Sequence, residues 1–399
     1  MSDTLVARPA APPRQRQHGL DGLRGIAAAM VVLHHIALSG GWISDPFANP
    51  PKMSSRFEIV MTYTPLHLLW AGGEAVFVFF VLSGYVLAHT DLSTSRRTAG
   101  FVGKRFVRLY VPAAAALILA TAQYVLVRRR AGPDGSWLRW HGDPIAWTDP
   151  LRVATLVVDD AGTQIDSVLW SLHWEVLFSA LLPIVAACMA LAIGRRAPYV
   201  ATALAACIAL SIYQSTGVLF YLPMFLLGTL AALNAAAIEA TVDRWRRHMP
   251  DGVMGLWALV LGGLLLTVRW TMNPLRVADS HPVQQAIAGL EQMLTVIGAC
   301  ILVLAAVHVL SVRRLFSTAA LARLGGRSFS LYLVHEPIIV SVAQHVDPQR
   351  RPLAFILTSL VFIAIATEIF YRVVERPSIA LAQRVYRRAV AAPAQATAS

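Results

Sequence analysis

The chain has few charged residues for its length. Only 14% of its 399 residues are Asp, Glu, Lys or Arg, whereas soluble domains carry about 25%. Hydrophobic residues make up 56% of the sequence, and they recur in runs of about 17 to 25, the length that a helix needs to cross a bilayer. The scarcity of charge argues against an ordinary soluble enzyme and predicts a polytopic membrane protein.

Cysteine is equally scarce, with three residues in the whole chain. Cys188, Cys207 and Cys300 lie inside apolar runs, and their spacing is not typical of a disulfide framework or a metal site. We therefore expect packing residues and no metal. The formal charge of +12 could indicate nucleic acid, but no basic and aromatic module accompanies it. Arginine-rich loops on one side of a membrane explain the charge better, so we expect no nucleic-acid partner.

Hydropathy predicts an all-α membrane protein with about ten transmembrane helices, which leaves both termini on one side. The predicted spans cover residues 22–40, 72–90, 109–127, 168–193, 198–214, 217–234, 253–271, 286–310, 329–346 and 353–374. Of the 34 Lys and Arg residues, 23 fall on the side of the termini and 11 on the other, which predicts that both termini are cytoplasmic.

These spans define the expected domain organisation. We predict a cytoplasmic N-terminal tail over residues 1–18, one membrane domain over 19–378 and a cytoplasmic C-terminal tail over 379–399. The C-terminal tail is short and Ala-rich, which indicates a disordered end. Any activity must therefore come from the spans and their loops.

The first span, GLDGLRGIAAAMVVLHHIAL, contains Arg24, His34 and His35. Arg24 and His35 are 11 residues apart, so at 100° per residue they share one helix face and stand about 16 Å apart along the axis. Ionisable groups at such depth are costly and usually face a cavity or pathway. We expect Arg24 near the cytoplasmic boundary and His35 beyond the midplane. The plainer alternatives are a histidine that only packs and an arginine that only reaches the interface.

The stretch FVGKRFVRLYVP at 101–112 places basic residues before the third span. Arg105 and Arg108 share a helix face with spacing i, i+3, and Lys104 lies one turn from Arg108. Two guanidiniums on one face suit the binding of a phosphate group. The alternative is an ordinary basic anchor at the membrane surface.

The stretch VLWSLHWEVLF at 168–178 places a carboxylate inside an apolar helix. Glu175 follows Ser171 by one turn, and Trp170 lies on another face that is typical of an interfacial anchor. A carboxylate at this depth needs a partner, for which Arg24 or His35 is the natural candidate. The alternative is an ion pair that only holds two helices together.

Two more stretches carry polar or small residues. In LGGRSFSLYLVHEPII at 324–339, Tyr332 and His335 fall on one helix face, and we expect Pro337 to end or kink the helix. In FFVLSGY at 79–85, Ser83 and Gly84 form a point where another helix can approach closely.

In these motifs the chain resembles acyltransferase family 3, the multi-spanning acyltransferases that include bacterial O-antigen and exopolysaccharide O-acetylases. Six motifs follow the family's order over about residues 20–378: Arg24 with His35, FFVLSG at 79–84, Arg105 with Arg108, Trp170, Ser171 and Leu172 with Glu175, the segment from Leu324 to Pro337, and Glu375, Arg376 and Pro377. Two departures stand out. Phe77 occupies the position where members often carry an acid, with Glu74 one turn earlier, and we expect no fused esterase-like domain.

The resemblance implies an O-acyltransferase that moves an acyl group, usually acetyl, from cytoplasmic acyl-CoA to a hydroxyl of a cell-surface or lipid-linked glycan. Acyl-CoA is then a co-substrate with no bound cofactor, the acceptor and membrane lipids are the partners, and the location is the inner membrane of a bacterium. On this hypothesis the catalytic residues are His35, Arg24 and Glu175, acyl-CoA is held by Lys104, Arg105 and Arg108, and the cavity is lined by Ser83, Trp170, Ser171, Tyr332 and His335.

The proposed roles leave alternatives open. His35 is either the general base for the acceptor hydroxyl or a transient acyl carrier, and Glu175 orients it. The acceptor could instead be a small molecule such as a macrolide-type antibiotic. A proton-coupled transporter also places His, Glu and Arg inside spans, although the sequence has no clear internal repeat. The sequence does not identify the acceptor, the acyl chain or the oligomeric state.

Overall fold

The computed structural model describes residues 18–40, 55–127, 137–142, 146, 148–156, 164–214, 217–273 and 282–391. These residues form helices and contain no β-strand, so the all-α prediction is confirmed for them. The predicted N-terminal tail lies outside them, apart from its last residue.

Eighteen α-helices are described, and several short helices of other types connect them. The α-helices are α1 His18–Gly40, α2 Arg56–Tyr63, α3 Gly72–Leu87, α4 Ser95–Leu126, α5 Trp137–Gly142, α6 Asp149–Ala154, α7 Trp170–Ala190, α8 Ala197–Leu210, α9 Val218–Leu233, α10 Ala235–Arg246, α11 Asp251–Leu266, α12 Val268–Thr271, α13 Pro282–His308, α14 Leu310–Phe316, α15 Ala319–Gly326, α16 Ser328–Ala343, α17 Pro352–Phe370 and α18 Arg376–Ala391. The 3₁₀ helices cover Pro65–Trp70, Ser167–Leu169, Gly194–Arg196 and Ser211–Tyr213, and a π-helical turn covers Tyr371–Glu375.

Each of the ten predicted spans coincides with an apolar helix. By length and composition, six described helical segments can cross a membrane, and the pair α9 and α10, bent by 72°, makes a seventh. The remaining three, α3, α11 and α16, have 16 residues each, or about 24 Å, which is less than the roughly 30 Å of a hydrocarbon core. Six or seven spans are therefore supported, and ten spans with cytoplasmic termini stay a prediction.

The short helices α3 and α16 are enclosed by protein. Of the 16 residues in each, 12 are buried in α3 and 13 in α16, whereas α8 at the periphery buries only Leu204 and Ile208. α1 packs against both α3 and α16. The polar side chains of α1 and α16 therefore face other helices, where they can find partners, and not lipid.

α9 approaches α3 closely at glycine, as the sequence predicted for Gly84. A Cβ atom added at Gly84 would lie 2.0 Å from the carbonyl oxygen of Phe225, and one added at Gly228 would lie 2.0 Å from that of Val81. Beside this crossing, Phe80 stacks on Phe225 with ring centroids 4.6 Å apart. The glycines thus let the two backbones meet and bring the aromatic side chains into contact.

We expect Gly84→Ala to destabilise the protein by about 1–3 kcal/mol, because the added methyl group forces α3 and α9 apart. Gly73→Ala in the same helix is the matched control, since a Cβ atom there meets nothing within 4 Å. Thermal unfolding of the purified variants in detergent measures the difference. Equal unfolding temperatures for both variants would contradict the close approach.

The prediction of a disordered C-terminal end was wrong. The chain after residue 378 is not disordered as far as Ala391, because α18 is a regular helix that packs along α4 and buries Ser378 and Ala382. Of the two outcomes expected at Pro337, an end or a kink, the helix does not end there, since α16 continues to Ala343. Tertiary packing around an enclosed helix offsets the backbone hydrogen bond that one proline removes.

Candidate functional site

Two histidines from distant parts of the sequence meet inside the protein. Nδ1 of His35 in α1 lies 2.8 Å from Nε2 of His335 in α16. Nδ1 of His335 is 3.1 Å from the carbonyl oxygen of Leu331. Because a carbonyl only accepts, this nitrogen carries the proton and Nε2 of His335 is an acceptor. His35 therefore donates through Nδ1, and its own Nε2 is unprotonated in the neutral ring.

The surroundings of His35 hold its ring in one orientation. The indole of Trp137 in α5 stacks on it with centroids 5.2 Å apart, and His335 stacks on it at 5.0 Å. The neighbouring His34 faces another way and donates from Nδ1 to the carbonyl oxygen of Trp70 at 3.0 Å. Of the two adjacent histidines, His35 is thus the one that belongs to the buried pair.

A carboxylate that the sequence analysis left out of the site lies beside the pair. Glu336 is fully buried, with Oε2 3.9 Å from Nε2 of His35 and Oε1 3.3 Å from Nε2 of His141. The backbone N–H and hydroxyl of Ser167 donate to its two oxygens at 2.6 and 2.5 Å. The available signal was an acidic residue next to His335 in an apolar helix, because such residues are rare in spans.

Glu175 forms its direct ion pair with Arg105 and not with the predicted partners Arg24 and His35, although Arg24 also interacts with it electrostatically. Nη2 of Arg105 donates to Oε1 of Glu175 at 2.7 Å, and the hydroxyl of Ser83 donates to the same oxygen at 2.7 Å. α4 packs directly against α7, and this contact places the guanidinium of Arg105 next to the carboxylate of Glu175. The pair neutralises both charges where α3, α4 and α7 meet.

The three basic residues before the third span have different surroundings. Arg105 is 9% exposed and is engaged by its carboxylate, so it does not form an open clamp with its neighbour. Arg108 is exposed, and its positive charge is repelled by that of Arg24. Nζ of Lys104 lies 5.6 Å from the ring centroid of Tyr386 in α18. Of these three, Arg108 has the charge that is most open to an anionic ligand.

Arg24 lies near the start of α1 among charged groups. Its Nη1 is 3.9 Å from Oδ1 of Asp21, and it interacts electrostatically with Glu175 and Glu375. His35 follows 11 residues later, about 16 Å along the same helix. α1 thus connects a charged region at its beginning with the histidine pair near its end.

The other predicted cavity residues also find partners. The hydroxyl groups of Ser171 and Tyr332 are 2.8 Å apart, and the ring centroid of Tyr332 is 6.0 Å from that of His335. Trp170 packs on Tyr221 of α9 with centroids 5.2 Å apart. This tryptophan therefore contributes to the packing between helices.

A second buried cluster was not predicted. Oε1 of Glu74 accepts a hydrogen bond from Nε1 of Trp270 at 2.8 Å, and Oε2 lies 3.8 Å from Nε2 of His67. The His67 ring is fully buried and stacks on Trp270 with centroids 4.7 Å apart. The acid one turn before Phe77 is therefore engaged with His67 and Trp270.

Comparison with known proteins gives one family and one relative. A family model described as an acyltransferase domain matches residues 17–371. The chain is 26% identical over 436 aligned residues to O-acetyltransferase PaAT-1 from Phomopsis amygdali, covering 92% of this chain and 84% of the relative. No solved structure matches the chain.

Proposed function

The chain belongs to acyltransferase family 3, and on that premise we propose that it transfers an acetyl group from cytoplasmic acetyl-CoA to a hydroxyl of a cell-surface or lipid-linked glycan in a bacterial inner membrane. The observation that carries the proposal is the hydrogen bond from His35 to His335, which leaves Nε2 of a buried imidazole unprotonated. Such a nitrogen can take the proton of a hydroxyl or accept an acyl group.

Two routes follow from this nitrogen. In the direct route, Nε2 of His35 takes the proton of the acceptor hydroxyl while the oxygen attacks the thioester carbonyl carbon. The C–S bond then breaks, and the CoA sulfur receives the proton from His35. In the second route, Nε2 attacks the thioester carbonyl carbon, the C–S bond breaks and the CoA thiolate leaves. The hydroxyl oxygen then attacks the acyl-imidazole, the C–N bond breaks, and the hydroxyl proton passes by way of the freed imidazole to the thiolate. Both routes end in an ester and the CoA thiol.

The donor is proposed to bind at the charged beginning of α1. Arg108, with Lys104 beside it, holds the phosphates of acetyl-CoA, and Arg24 helps guide the thioester into the site. Arg105 contributes indirectly, because its guanidinium is held by Glu175. Glu175 in turn fixes Arg105, and it does not orient His35.

We expect Arg108→Ala to raise the KM for acetyl-CoA by about 10- to 100-fold with little change in kcat, because a charge-assisted hydrogen bond contributes roughly 1.5–3 kcal/mol. Arg96→Ala, which removes another exposed arginine of α4, is the matched control. Initial rates at varied acetyl-CoA concentration measure the effect. An unchanged KM for Arg108→Ala would contradict the proposed phosphate contact.

The acceptor class is tested by following the label. Membranes with wild-type protein receive radiolabelled acetyl-CoA and cell extract, and alkali-labile label is counted in glycan, lipid-linked sugar and small-molecule fractions. Label in glycan or lipid-linked sugar is the expected result. Label confined to small molecules would replace the acceptor with one such as a macrolide-type antibiotic. An absence of label from every fraction would contradict acetyl-CoA as the donor.

A further inference from the structure

Glu336 has the surroundings of a charged carboxylate. Both of its oxygens accept hydrogen bonds from Ser167, one from the backbone N–H and one from the hydroxyl. Its Oε1 also lies 3.3 Å from Nε2 of His141. A fully buried carboxylate that accepts two hydrogen bonds from Ser167 is stabilised in its ionised form.

A second carboxyl group lies beside it. Asp166 is fully buried, directly before Ser167. Burial, and then the repulsion of the Glu336 charge, raise the pKa of Asp166 well above its ordinary value. Two carboxyl groups that repel each other in a buried position hold one negative charge between them, and the two donors of Ser167 favour Glu336 as its location.

This charge lies next to the reacting nitrogen. Oε2 of Glu336 is 3.9 Å from Nε2 of His35, the atom that the hydrogen bond to His335 leaves unprotonated. At that distance a negative charge favours the imidazolium that forms when Nε2 takes up a proton. Glu175 cannot supply this charge, because Arg105 already neutralises it.

We infer that Glu336, held by Ser167, is the positioning carboxylate of His35 and stabilises its protonated ring during transfer. The inference rests on the proposed function and assigns to Glu336 the role that the sequence suggested for Glu175. Ser167 and His141 belong to the segment between α4 and α7, so this segment completes the site. Glu336 acts through His35 and does not contact the acyl group.

The test compares two substitutions that separate charge from shape. Glu336→Gln keeps the size and an acceptor oxygen but removes the charge, whereas Glu336→Asp keeps the charge but shortens the side chain. We expect Glu336→Gln to lower kcat for acetyl transfer by about 10- to 100-fold with the KM for acetyl-CoA within about twofold. Glu336→Asp should retain the higher kcat of the two. A structural role predicts the opposite order, because Gln fills the site better.

Glu291→Gln is the matched control, because Glu291 is a buried carboxylate in α13 outside the site, and it should keep the wild-type kcat. If neither Glu336 variant accumulates as folded protein, Ser167→Ala decides, since it removes one donor and leaves the charge in place. We expect a loss of about 3- to 10-fold in kcat. A wild-type kcat in Ser167→Ala would then contradict the inference.

Wild-type protein in the same assay separates the two claims. If the wild-type protein transfers acetyl but Glu336→Gln keeps the wild-type kcat, the role of Glu336 is contradicted and the proposed function is not. The same holds if Glu336→Gln has a higher kcat than Glu336→Asp. Failure of the wild-type protein to transfer acetyl from acetyl-CoA contradicts the proposed function on which that role rests.

Discussion

His35→Ala is expected to lower acetyl transfer by about 10²- to 10⁴-fold, the contribution typical of a positioned general base. The loss should appear in kcat, because the proposed phosphate contacts of the donor, Arg108 and Lys104, lie in α4 and do not involve His35. The same loss is expected if His35 carries the acyl group. Initial rates with saturating acetyl-CoA measure it.

An exposed histidine near the C-terminal end of α16 provides the control for His35→Ala. His345 is exposed just beyond the end of α16 and contacts only the carbonyl oxygen of Ser341 among the bonds described for it, so His345→Ala should keep wild-type activity. Unfolding temperatures of both variants show whether the fold is kept. Full activity in a folded His35→Ala protein would rule out both routes of transfer.

The second large effect concerns stability. We expect Glu175→Leu and Arg105→Met each to destabilise the protein by about 3–5 kcal/mol, because each leaves an uncompensated charge inside the protein. The side chains of Arg105 and Glu175 are 11% and 25% exposed, so water screens the pair only partly. The double variant should unfold close to the wild type, since replacing a whole buried pair by apolar side chains is often nearly neutral.

An exposed pair provides the comparison. Arg350 and Asp347 are 87% and 50% exposed, and Arg350→Ala should change the unfolding midpoint little, because exposed ion pairs contribute little to stability. Denaturant or thermal unfolding in detergent gives all of these values. A double variant that is as unstable as the two single variants combined would show that Arg105 and Glu175 do not stabilise each other.

The apolar helices were predictable from the sequence because a chain that crosses a bilayer must form helices there. A span must satisfy its backbone internally and present apolar side chains, so hydropathy located all ten apolar helices. The close approach at Gly84 was also readable, because only small residues let two helices meet backbone to backbone. The helical periodicity of α1 likewise predicted that His35 and its neighbour His34 lie on different faces of the helix.

The pairing between helices was not predictable from one sequence. Periodicity shows which residues share a helix face, but not which helix that face meets. Arg24 and Arg105 are both arginines near the same predicted side of the membrane, so charge alone could not decide which one pairs with Glu175. His35 and His335 were each predicted as site residues, yet 300 positions separate them.

Two omissions have specific physical causes. Glu336 depends on the two donors of Ser167, which ends a segment with no periodic pattern, so nothing in the sequence indicated that donors would reach it. The C-terminal helix was missed because an Ala-rich composition was interpreted as disorder, although Ala has the highest helix propensity. The available signal was the spacing of small residues: Ser378 and Ala382 lie four residues apart on one helix face, and both are buried in the structure.

The most direct test of acyl transfer at His35 uses purified protein in lipid vesicles with radiolabelled acetyl-CoA and extracted acceptor. We expect alkali-labile acetyl esters with wild-type protein and almost none with His35→Ala, while Arg108→Ala approaches the wild-type rate only at high acetyl-CoA concentration. Equal ester formation by wild type and a folded His35→Ala protein, or none by wild type with every acceptor fraction, would contradict the account.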